Sequence, residues 1–339
     1  MSLVHVDYIW VDGFDQPSLR GKTKVVSLKK LEDGNFELPL EDWNFDGSST
    51  GQATTGDSER LLIPARLYQF SDTHHVVLCE VCYPNEDQTP HESNFRAILR
   101  EMLEDMKEDP ELWLGFEQEY FFTKNNKNIL WPESFGEPIK DDRYYCAIDG
   151  GNVKYRNLVR EHASFCNKVG IRIVGYNAEV AAGQWEYQCF SEDALKACDD
   201  LWVSRYILSL LTEEDGIGID WSPKPHDGWN GSGCHTNFST KAMREGEGGK
   251  ELFDNIISRM SDSHLQAMEE YGSGNRSRLV GEYETAKYDS FSSGVASRSV
   301  SVRIPNAVVN ADWSGYLEDR RPASNCDPYR VALQLVYNV

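Results

Sequence analysis

The sequence predicts an α+β fold, with a small strand-rich module at the N-terminus and a larger domain of mixed helices and strands after it. Three observations lead to this fold class: β-branched runs broken by turn residues before residue 84, amphipathic helical stripes after residue 91, and a change of composition over residues 84–90. We therefore expect one domain over residues 1–88 and a second over residues 89–339. The 339 residues, of which 40% are apolar, suffice for a large hydrophobic core.

Short β-branched runs build the first module. Strands are predicted over residues 4–11, 22–29 and 76–82, and turn residues such as Gly13 and Pro17 separate the first two. A loop of turn formers, Trp43-Asn-Phe-Asp-Gly-Ser-Ser-Thr-Gly51, lies between the second and third strands. It is interpreted either as a surface turn or as a loop that presents the Asp46 carboxylate at the edge of a site.

In the second domain, helices alternate with strands. Helices are predicted where apolar residues recur at helical spacing, over residues 91–108, 155–169, 192–213 and 250–271. Strands are predicted over residues 112–122, 171–176, 184–188, 217–220, 234–239 and 299–304.

Composition argues against several function classes. The chain has 34 basic and 55 acidic residues, and its net charge of −21 repels phosphate backbones, so we do not expect a nucleic-acid partner. No apolar run approaches the ~20 residues that a membrane span requires, and the first residues have no signal or transit pattern. The eight cysteines form no zinc-type clusters, which favours reduced thiols in a cytoplasmic protein.

The strand predicted over residues 112–122 carries the first candidate site. Its apolar residues share one face, and Glu117 and Glu119 project together from the other, roughly 7 Å apart at the backbone because each residue rises ~3.3 Å. Two half-buried carboxylates this close need a compensating charge, which is usually a divalent cation. A solvated polar face explains the same alternation, so both interpretations remain open at this point.

Two later segments add candidate ligands. Glu179 and Glu186 flank a loop of small residues that returns to a polar strand face, although a solvated face is favoured for this segment alone. A glycine-rich segment, residues 229–239, permits close backbone approach to a ligand and contains His235. A lone histidine is either a metal ligand or, more often, a core residue. Oxygen ligands with at most one imidazole favour Mg²⁺ or Mn²⁺ over zinc.

Arginines concentrate in the last quarter of the chain. The arginines in question are Arg276, Arg278, Arg298, Arg303, Arg320 and Arg321, and they lie near Glu282, Glu284 and Glu318 in sequence. Their forked guanidinium groups suit carboxylate or phosphate ligands, although a salt-bridged surface would look similar. Metal ions combined with arginines indicate phosphoryl transfer, and the chain has neither a Walker A motif nor a kinase glycine loop.

With these motifs in hand, the sequence resembles the glutamine synthetase family in its class II, eukaryote-type form. The motifs occur in the family's order over essentially the whole chain. They are Trp43-Asn-Phe-Asp-Gly-Ser-Ser-Thr50, Gly115-Phe-Glu-Gln-Glu-Tyr120, Asn177-Ala-Glu179, Gln184-Trp-Glu186, Pro223-Lys-Pro225, residues 229–244, residues 299–305 and Glu318-Asp-Arg-Arg-Pro322. The resemblance implies an N-terminal β-grasp domain and a catalytic domain whose curved antiparallel sheet forms an active-site funnel.

The resemblance also implies a reaction. A glutamate–ammonia ligase uses ATP to join ammonia to the side-chain carboxylate of L-glutamate through γ-glutamyl phosphate, giving L-glutamine, ADP and phosphate. Such an enzyme serves nitrogen assimilation and needs at least two Mg²⁺ or Mn²⁺ ions per site. The resemblance further implies a homo-oligomer, a decamer of two pentameric rings with active sites between subunits.

Individual roles follow from the same resemblance. One metal ion would be held by Glu119, Glu179 and Glu186 beside glutamate and ammonium, and the other by Glu117, His235 and Glu318 beside the ATP phosphates. The implied catalytic residues are Asp46 and Glu284, which handle ammonium, and Arg298. The implied glutamate contacts are Trp229, Asn230, Gly231, Arg278, Arg298 and Arg320. The implied ATP contacts are Glu117, Glu186, Asn237, Phe238, Ser239, Arg298, Arg303 and Tyr316.

Two alternative functions remain open at the sequence level. A related ligase would couple glutamate to methylamine or a polyamine, but Asp46 and Glu284 favour ammonium as the acceptor. A structural relative would have no catalytic activity, but the presence of every implied metal ligand argues against it.

Overall fold

The computed structural model describes residues 3–30, 36–106, 110–125, 127–130 and 143–339. Its contacts divide the chain into two units, Met1–Asp105 and Met106–Val339. The first unit contains strands β1 (Leu3–Val11), β2 (Leu19–Ser27), β3 (Lys29–Lys30), β4 (Phe36–Glu37), β5 (Trp43–Asp46), β6 (Glu59–Gln69) and β7 (His74–Cys82), and helix α1 (Phe95–Asp105).

Among the described residues of the first unit, the main sheet has the strand order β2-β1-β7-β6-β5. Strand β1 lies between β2 and β7, and the alternation of its side chains buries Val4, Val6, Tyr8 and Trp10 in the core. Strand β1 pairs in parallel with β7, and the other pairs of this sheet are antiparallel. The three predicted strands of this module are confirmed, with small shifts at their ends.

The sequence did not predict strand β6. Pro64 and the charged residues around it conceal its alternation, and the pairing with β7 shifts register between Pro64 and Arg66, where a bulge accommodates the proline. The 43–51 segment is not a simple loop, because it forms β5 and then a 3-10 helix (Gly47–Thr50). Helix α1 lies in the first unit, whereas the predicted boundary after residue 88 assigns it to the second domain.

The second unit contains the remaining elements. Its strands are β8 (Trp113–Lys124), β9 (Lys127–Asn128), β10 (Ile173–Ala178), β11 (Gln184–Ser191), β12 (Ile217–Asp220), β13 (Cys234–Ser239), β14 (Ser293–Val295), β15 (Val302–Ile304) and β16 (Leu317–Asp319). Its helices are α2 (Arg156–Lys168), α3 (Ala194–Glu213), α4 (Lys241–Glu245), α5 (Gly249–Asp262), α6 (His264–Glu270), α7 (Asn306–Asn310) and α8 (Pro328–Val336).

One mixed but mostly antiparallel sheet organises the second unit. In the part of the chain that the structure describes, its order is β10-β11-β8-β13-β16-β15-β14, with β12 and β9 also paired to β8. Helix α3 packs against β8 and β11 and against helices α2 and α8, and it is buried on most of its surface. The apolar side chains of β8 that include Leu114, Phe116 and Tyr120 are buried. The alternation of β8 therefore leaves Glu117 and Glu119 on the opposite face.

Two predicted elements need correction. The helix predicted over residues 250–271 is two helices, α5 and α6, separated at Ser263, whose hydroxyl donates to the Arg259 carbonyl at 3.0 Å. The strand predicted over residues 299–304 begins only at Val302. Helix α1 ends at Asp105, and the predicted end at residue 108 lies outside the described residues.

Gln118, between the two glutamates of β8, points toward the helices and is fully buried. Its Oε1 accepts hydrogen bonds from Nε and Nη2 of Arg205 in α3, at 2.9 and 2.6 Å. Its Nε2 donates to the Ser324 carbonyl at 3.0 Å, and Arg205 Nη1 donates to the Cys326 carbonyl at 2.9 Å. These bonds join β8, α3 and the segment before α8.

Two further observations concern the whole described chain. None of its helices in the described residues is long and apolar enough to cross a membrane. All eight cysteines are free thiols, and all except Cys146 are buried, as the sequence predicted.

Candidate active site

Pairing between strands assembles residues that are far apart in sequence. On β8, Glu117 lies opposite His235 of β13, and Glu119 lies opposite Glu186 of β11. Strand β16 places Glu318 opposite Asn237 of β13. The strand register therefore brings together four carboxylates from three strands and one imidazole.

Glu117, His235 and Glu318 form the first candidate metal-binding set. Their ligand atoms lie within 4.8 Å of one another, and His235 Nδ1 is 3.5 Å from Glu117 Oε2 and 4.0 Å from Glu318 Oε1. Burial, and then the nearby Arg320, hold the pKa of His235 well below its usual value. The imidazole is therefore neutral, which is the form that binds a metal ion. Asn237 Nδ2 orients the carboxylate of Glu117 through a 2.8 Å hydrogen bond to Oε1.

The second predicted set is Glu119, Glu179 and Glu186. Glu119 Oε2 accepts hydrogen bonds from the Gly233 amide at 2.8 Å and from Gln184 Nε2 at 3.1 Å. Glu179 accepts hydrogen bonds from Asn177 Nδ2 and from the Val180 amide. These three carboxylates are less tightly grouped, because among the described side chains only the first set converges within 4.8 Å.

Burial disfavours negative charge on the second set. It raises the pKa of Glu119 to about 8, with a further contribution from Glu179, and the pKa of Glu179 to about 7. Burial and the Glu117 carboxylate raise the pKa of Glu186 well above its usual value. Several buried carboxylates with raised pKa values are chemically suited to a divalent cation, which would favour their ionised forms. Both donor sets fit Mg²⁺ or Mn²⁺.

The predicted arginines occupy different environments. Arg303 Nη1 donates to Glu318 Oε2 at 2.6 Å, and Arg320 Nη1 donates to Glu318 Oε1. Arg278 is buried, and its Nη2 donates to the carbonyls of Arg320, Arg321 and Pro322. Burial lowers the pKa of Arg278 to about 10. Arg298 is exposed, and its Nη1 lies 3.9 Å from Glu284 Oε2. Arg276 is also exposed and pairs with Asp289.

A small cavity of about 30 Å³ combines several predicted residues. It is lined by Glu119, Glu179, Gln184, Asn230, Gly231, His235, Arg278, Tyr283, Glu284, Thr285 and Arg320. Trp229 is not in this lining, because its side chain packs in the core with Phe121 and Ala182. Gly231 needs to be glycine, since a Cβ there would lie 2.3 Å from the Pro223 carbonyl oxygen and 2.8 Å from Arg278 Cγ.

Glu284 lies on a strained segment. Tyr283 and Glu284 have φ values of 53° and 61°, in the left-handed region that costs a non-glycine residue about 1–3 kcal/mol. Arg320 Nη2 donates to the Glu284 carbonyl at 3.4 Å, and Thr285 Oγ1 donates to the Glu282 carbonyl at 2.8 Å. Strain of this kind is frequent at functional segments and persists only where surrounding contacts hold it.

A second, larger cavity of about 460 Å³ adjoins Glu117. Among the predicted ATP contacts, its lining includes Glu117, Asn237, Phe238, Ser239 and Tyr316, and does not include Glu186, Arg298 or Arg303. A volume of this size, with mostly apolar walls, suits a small organic ligand.

The sequence did not predict several residues that line the larger cavity, among them two arginines and the aromatic residues beneath them. Arg244 lies over the Trp113 ring at 3.9 Å, and Arg172 lies over the Phe190 ring at 4.9 Å. Trp113 and Phe190 make an edge-to-face contact at 5.9 Å. The strand alternation could have predicted two of these residues. Trp113 lies on the same face of its strand as Glu117 and Glu119, and Phe190 lies on the same face as Glu186.

Asp46 belongs to the first unit. It is the N-cap of the 3-10 helix (Gly47–Thr50), where its Oδ1 accepts hydrogen bonds from the Ser48 amide at 3.0 Å and the Ser48 hydroxyl at 2.6 Å. These bonds hold the pKa of the exposed Asp46 carboxylate below its usual value, so it is ionised near neutral pH.

Comparison with known proteins agrees with this geometry. Residues 92–336 match the family described as glutamine synthetase, catalytic domain. The chain belongs to the glutamine synthetase family. It is similar to the glutamine synthetase of Bradyrhizobium diazoefficiens, with 42% identity over 100% of this chain and 97% of the relative. It is also similar to the glutamine synthetase of Hebeloma cylindrosporum, with 42% identity over 98% of this chain and 92% of the relative.

A third relative is the Drosophila melanogaster protein named glutamine synthetase 1, mitochondrial, with 43% identity over 98% of this chain and 83% of the relative. Family membership confirms three predictions from the sequence: the family, the enzyme class of glutamate–ammonia ligase, and glutamine formation as the reaction.

Proposed function

We propose that the protein joins ammonia to the side-chain carboxylate of L-glutamate with ATP, through γ-glutamyl phosphate, and releases L-glutamine, ADP and phosphate. The observation that carries this proposal is the convergence of Glu117, His235 and Glu318 within 4.8 Å, in a chain of the glutamine synthetase family. Oxygen ligands and one neutral imidazole are suited to the Mg²⁺ or Mn²⁺ that accompanies ATP.

Each substrate has a place in the proposal. ATP occupies the cavity of about 460 Å³, where Asn237, Phe238, Ser239 and Tyr316 contact it. Glutamate binds at the smaller cavity, where Asn230, Gly231, Arg278 and Arg320 are the proposed contacts, and Trp229 supports that loop from the core. Ammonium enters on the side of Glu119, Glu179 and Glu284, because anionic groups attract it.

The chemistry proposed for these residues meets three requirements. A carboxylate is a poor electrophile, so its conversion to an acyl phosphate precedes attack by ammonia. Arg298 and Arg303 stabilise the charge on the transferred phosphoryl group, as guanidinium groups do in phosphoryl transfer. Glu284 takes a proton from ammonium so that neutral ammonia attacks the acyl carbon. The segment around Glu284 keeps water from the acyl phosphate.

Metal ions complete the proposed site. The residues that would hold one ion are Glu117, His235 and Glu318, and those that would hold the other are Glu119, Glu179 and Glu186. Glu186 is also a proposed contact to ATP. When bound, Mg²⁺ or Mn²⁺ neutralises phosphate charge and orients the reacting groups.

The remaining details are proposed from the resemblance. We propose the class II form of the family, a β-grasp fold for the N-terminal domain, a domain boundary near residue 88, and a cytoplasmic location. We also propose a decamer of two pentameric rings, in which Asp46 of one subunit serves ammonium binding in a neighbouring subunit's site. A fully active monomer in sedimentation would contradict the oligomeric part of the proposal.

The decisive experiment measures phosphate and glutamine together, with glutamate, ATP and Mg²⁺ and with ammonium, methylamine, putrescine or no amine. We expect ammonium to stimulate phosphate release and to give about one glutamine per phosphate. Preferential stimulation by methylamine or putrescine would identify a related glutamate–amine ligase. No stimulation by any amine would identify a non-catalytic relative and would refute the proposal.

A further inference from the structure

Two loops of the second unit meet at a single lysine. We call residues 223–231 the substrate loop and residues 281–287 the flap. The Nζ of Lys224 donates a hydrogen bond to the Trp229 carbonyl within the substrate loop. The same Nζ lies 4.2 Å from the centre of the Tyr283 ring in the flap. One ammonium group therefore contacts both loops, and a cation over an aromatic face is an attractive contact.

Within the substrate loop, Lys224 binds next to the residues that line the small cavity. Its acceptor, Trp229, directly precedes Asn230 and Gly231, which line the small cavity. The Ser232 amide donates to the Pro223 carbonyl at 2.9 Å and closes the base of this loop. A ligand that contacts Asn230 or Gly231 therefore contacts the same short loop that fixes the position of Lys224.

On the flap, Tyr283 immediately precedes Glu284, and both residues have positive φ values. Thr285 fixes the other side of Glu284, because its hydroxyl proton is shared between the carbonyls of Glu282 and Arg278, at 2.8 and 3.2 Å. The Glu284 side chain is 48% exposed and its carboxylate is 3.9 Å from Arg298, too far for a hydrogen bond. The strained backbone around Glu284 is therefore held by the bond from Arg320 to its carbonyl, by Thr285, and by the contact of the Tyr283 ring with Lys224.

From this geometry, and resting on the proposed function, we infer that Lys224 is a positioning residue that couples glutamate binding in the substrate loop to the placement of Glu284 in the flap. With the link intact, the flap covers the γ-glutamyl phosphate, and ammonia attacks its acyl carbon. Without the link, water attacks instead and releases glutamate and phosphate. The net reaction is then hydrolysis of ATP to ADP and phosphate with no glutamine formed.

The test removes the charge and keeps the length of the side chain. In Lys224→Met we expect the KM for glutamate to rise about fivefold and the phosphate-to-glutamine ratio to rise from about one to about two or more. The KM for ATP should change less than about twofold, because Lys224 does not line the larger cavity. Lys224→Arg keeps a cation at this position and should restore the ratio.

Variants on the flap test the other half of the link. Tyr283→Phe keeps the ring and should behave like the wild type, whereas Tyr283→Leu should reproduce the Lys224→Met defects. The double variant Lys224→Met/Tyr283→Leu should be no worse than either single variant, because both remove the same contact. Lys250→Met is the matched control, since Lys250 also lies over a ring, that of Trp313 at 5.2 Å, on helix α5.

The outcomes separate this inference from the proposed function. A wild-type phosphate-to-glutamine ratio and glutamate KM in Lys224→Met would overturn the inference, as would additive defects in the double variant. If the wild-type protein forms no glutamine, the proposed function fails first. Thermal unfolding checks the fold of each variant, and Tyr283→Leu carries the test should Lys224→Met prove unfolded.

Discussion

Glu119 and Glu186 lie directly opposite each other on β8 and β11, and each is only 7% exposed. When both carboxylates are ionised at these buried, opposed positions, they repel each other with little screening by water. Burial raises the pKa of both groups, and the neighbouring carboxylates raise the pKa of Glu186 further. The region is therefore destabilised by its own charge whenever these groups are ionised without a cation.

Removing one charge should accordingly have opposite effects with and without metal. We expect Glu186→Gln to raise the unfolding temperature in the presence of a chelator, because the wild-type carboxyl must either stay charged or take up a proton when it is buried, and glutamine does neither. In Mg²⁺ the wild type should be the more stable protein, gaining about 2.7 kcal/mol when Mg²⁺ is at 100 times its Kd. Thermal unfolding with EDTA and with Mg²⁺ measures both effects. Glu269→Gln, on the exposed surface of α6, should show neither.

Glu284 should matter to the amine step more than to nucleotide binding. We expect Glu284→Ala to lose glutamine synthesis by roughly 100-fold or more, the range typical for loss of a general base. Its ATP affinity, measured by calorimetry, should stay close to that of the wild type, because Glu284 is not in the lining of the larger cavity. An unimpaired variant would remove Glu284 from the mechanism.

The aromatic wall of the larger cavity should serve the nucleotide alone. In Trp113→Ala, the KM for ATP should rise about tenfold, since the ring supports Arg244 at 3.9 Å and Phe190 at 5.9 Å. The KM for glutamate should be unchanged, because Trp113 does not line the smaller cavity. Steady-state kinetics with each substrate varied in turn checks this. Leu265→Ala, at an exposed position of α6, is the control.

Gly231 should not tolerate a side chain. An added Cβ would lie 2.3 Å from the Pro223 oxygen and 2.8 Å from Arg278 Cγ, so Gly231→Ala must displace the substrate loop or Arg278. We expect a rise in the glutamate KM of at least about tenfold, consistent with a misplaced substrate contact. Gly150→Ala adds the same methyl group where no atom lies within 4 Å, and it should be neutral.

Acid should destabilise the second unit through a histidine outside the site. Burial lowers the pKa of His162 to about 4, and its Nε2 lies 2.9 Å from the Ser204 carbonyl oxygen. As the pH falls below 6.5, the unfolded chain binds a proton that the folded protein does not, so the free energy of unfolding decreases. The loss approaches about 1.4 kcal/mol per pH unit until the pH nears 4.

Urea unfolding at several pH values between 7.5 and 4.5 measures this dependence. His162→Gln should flatten the curve, whereas His5→Gln, at an exposed position in the first unit, should leave it as in the wild type. An unchanged slope in His162→Gln would assign the acid sensitivity to other buried histidines, of which His264 also has a pKa lowered by burial.

Local pattern was enough to predict much of this protein. Alternation alone identified the strand that became β8 and the face that carries Glu117 and Glu119. Helical spacing identified α2 and α3 to within a few residues. These predictions succeeded because side-chain direction follows directly from backbone period.

Other features depended on long-range pairing that no local pattern encodes. Glu119 lies opposite Glu186 because of the register between β8 and β11. Only the resemblance to a family predicted that these two residues lie close together. Strand β6 was not predicted because a proline argues against a strand, and the bulge that accommodates Pro64 cannot be seen in the sequence. Trp229 resembled a substrate contact by its motif, but its side chain fills the core. Aromatic side chains suit both places, so packing decides between them.

The buried Gln118 has a consequence for how the second unit folds correctly. If β8 slipped by one residue against its neighbours, Gln118 would face the cavities, and the carboxylates of Glu117 and Glu119 would be driven into the apolar layer under α3. Such a slip would also break both hydrogen bonds from Arg205, at 2.9 and 2.6 Å, and leave the guanidinium buried without them. The bonds between Arg205 and Gln118 thus stabilise the native register of β8 over a shifted one. Only the native register presents both glutamates to the cavities.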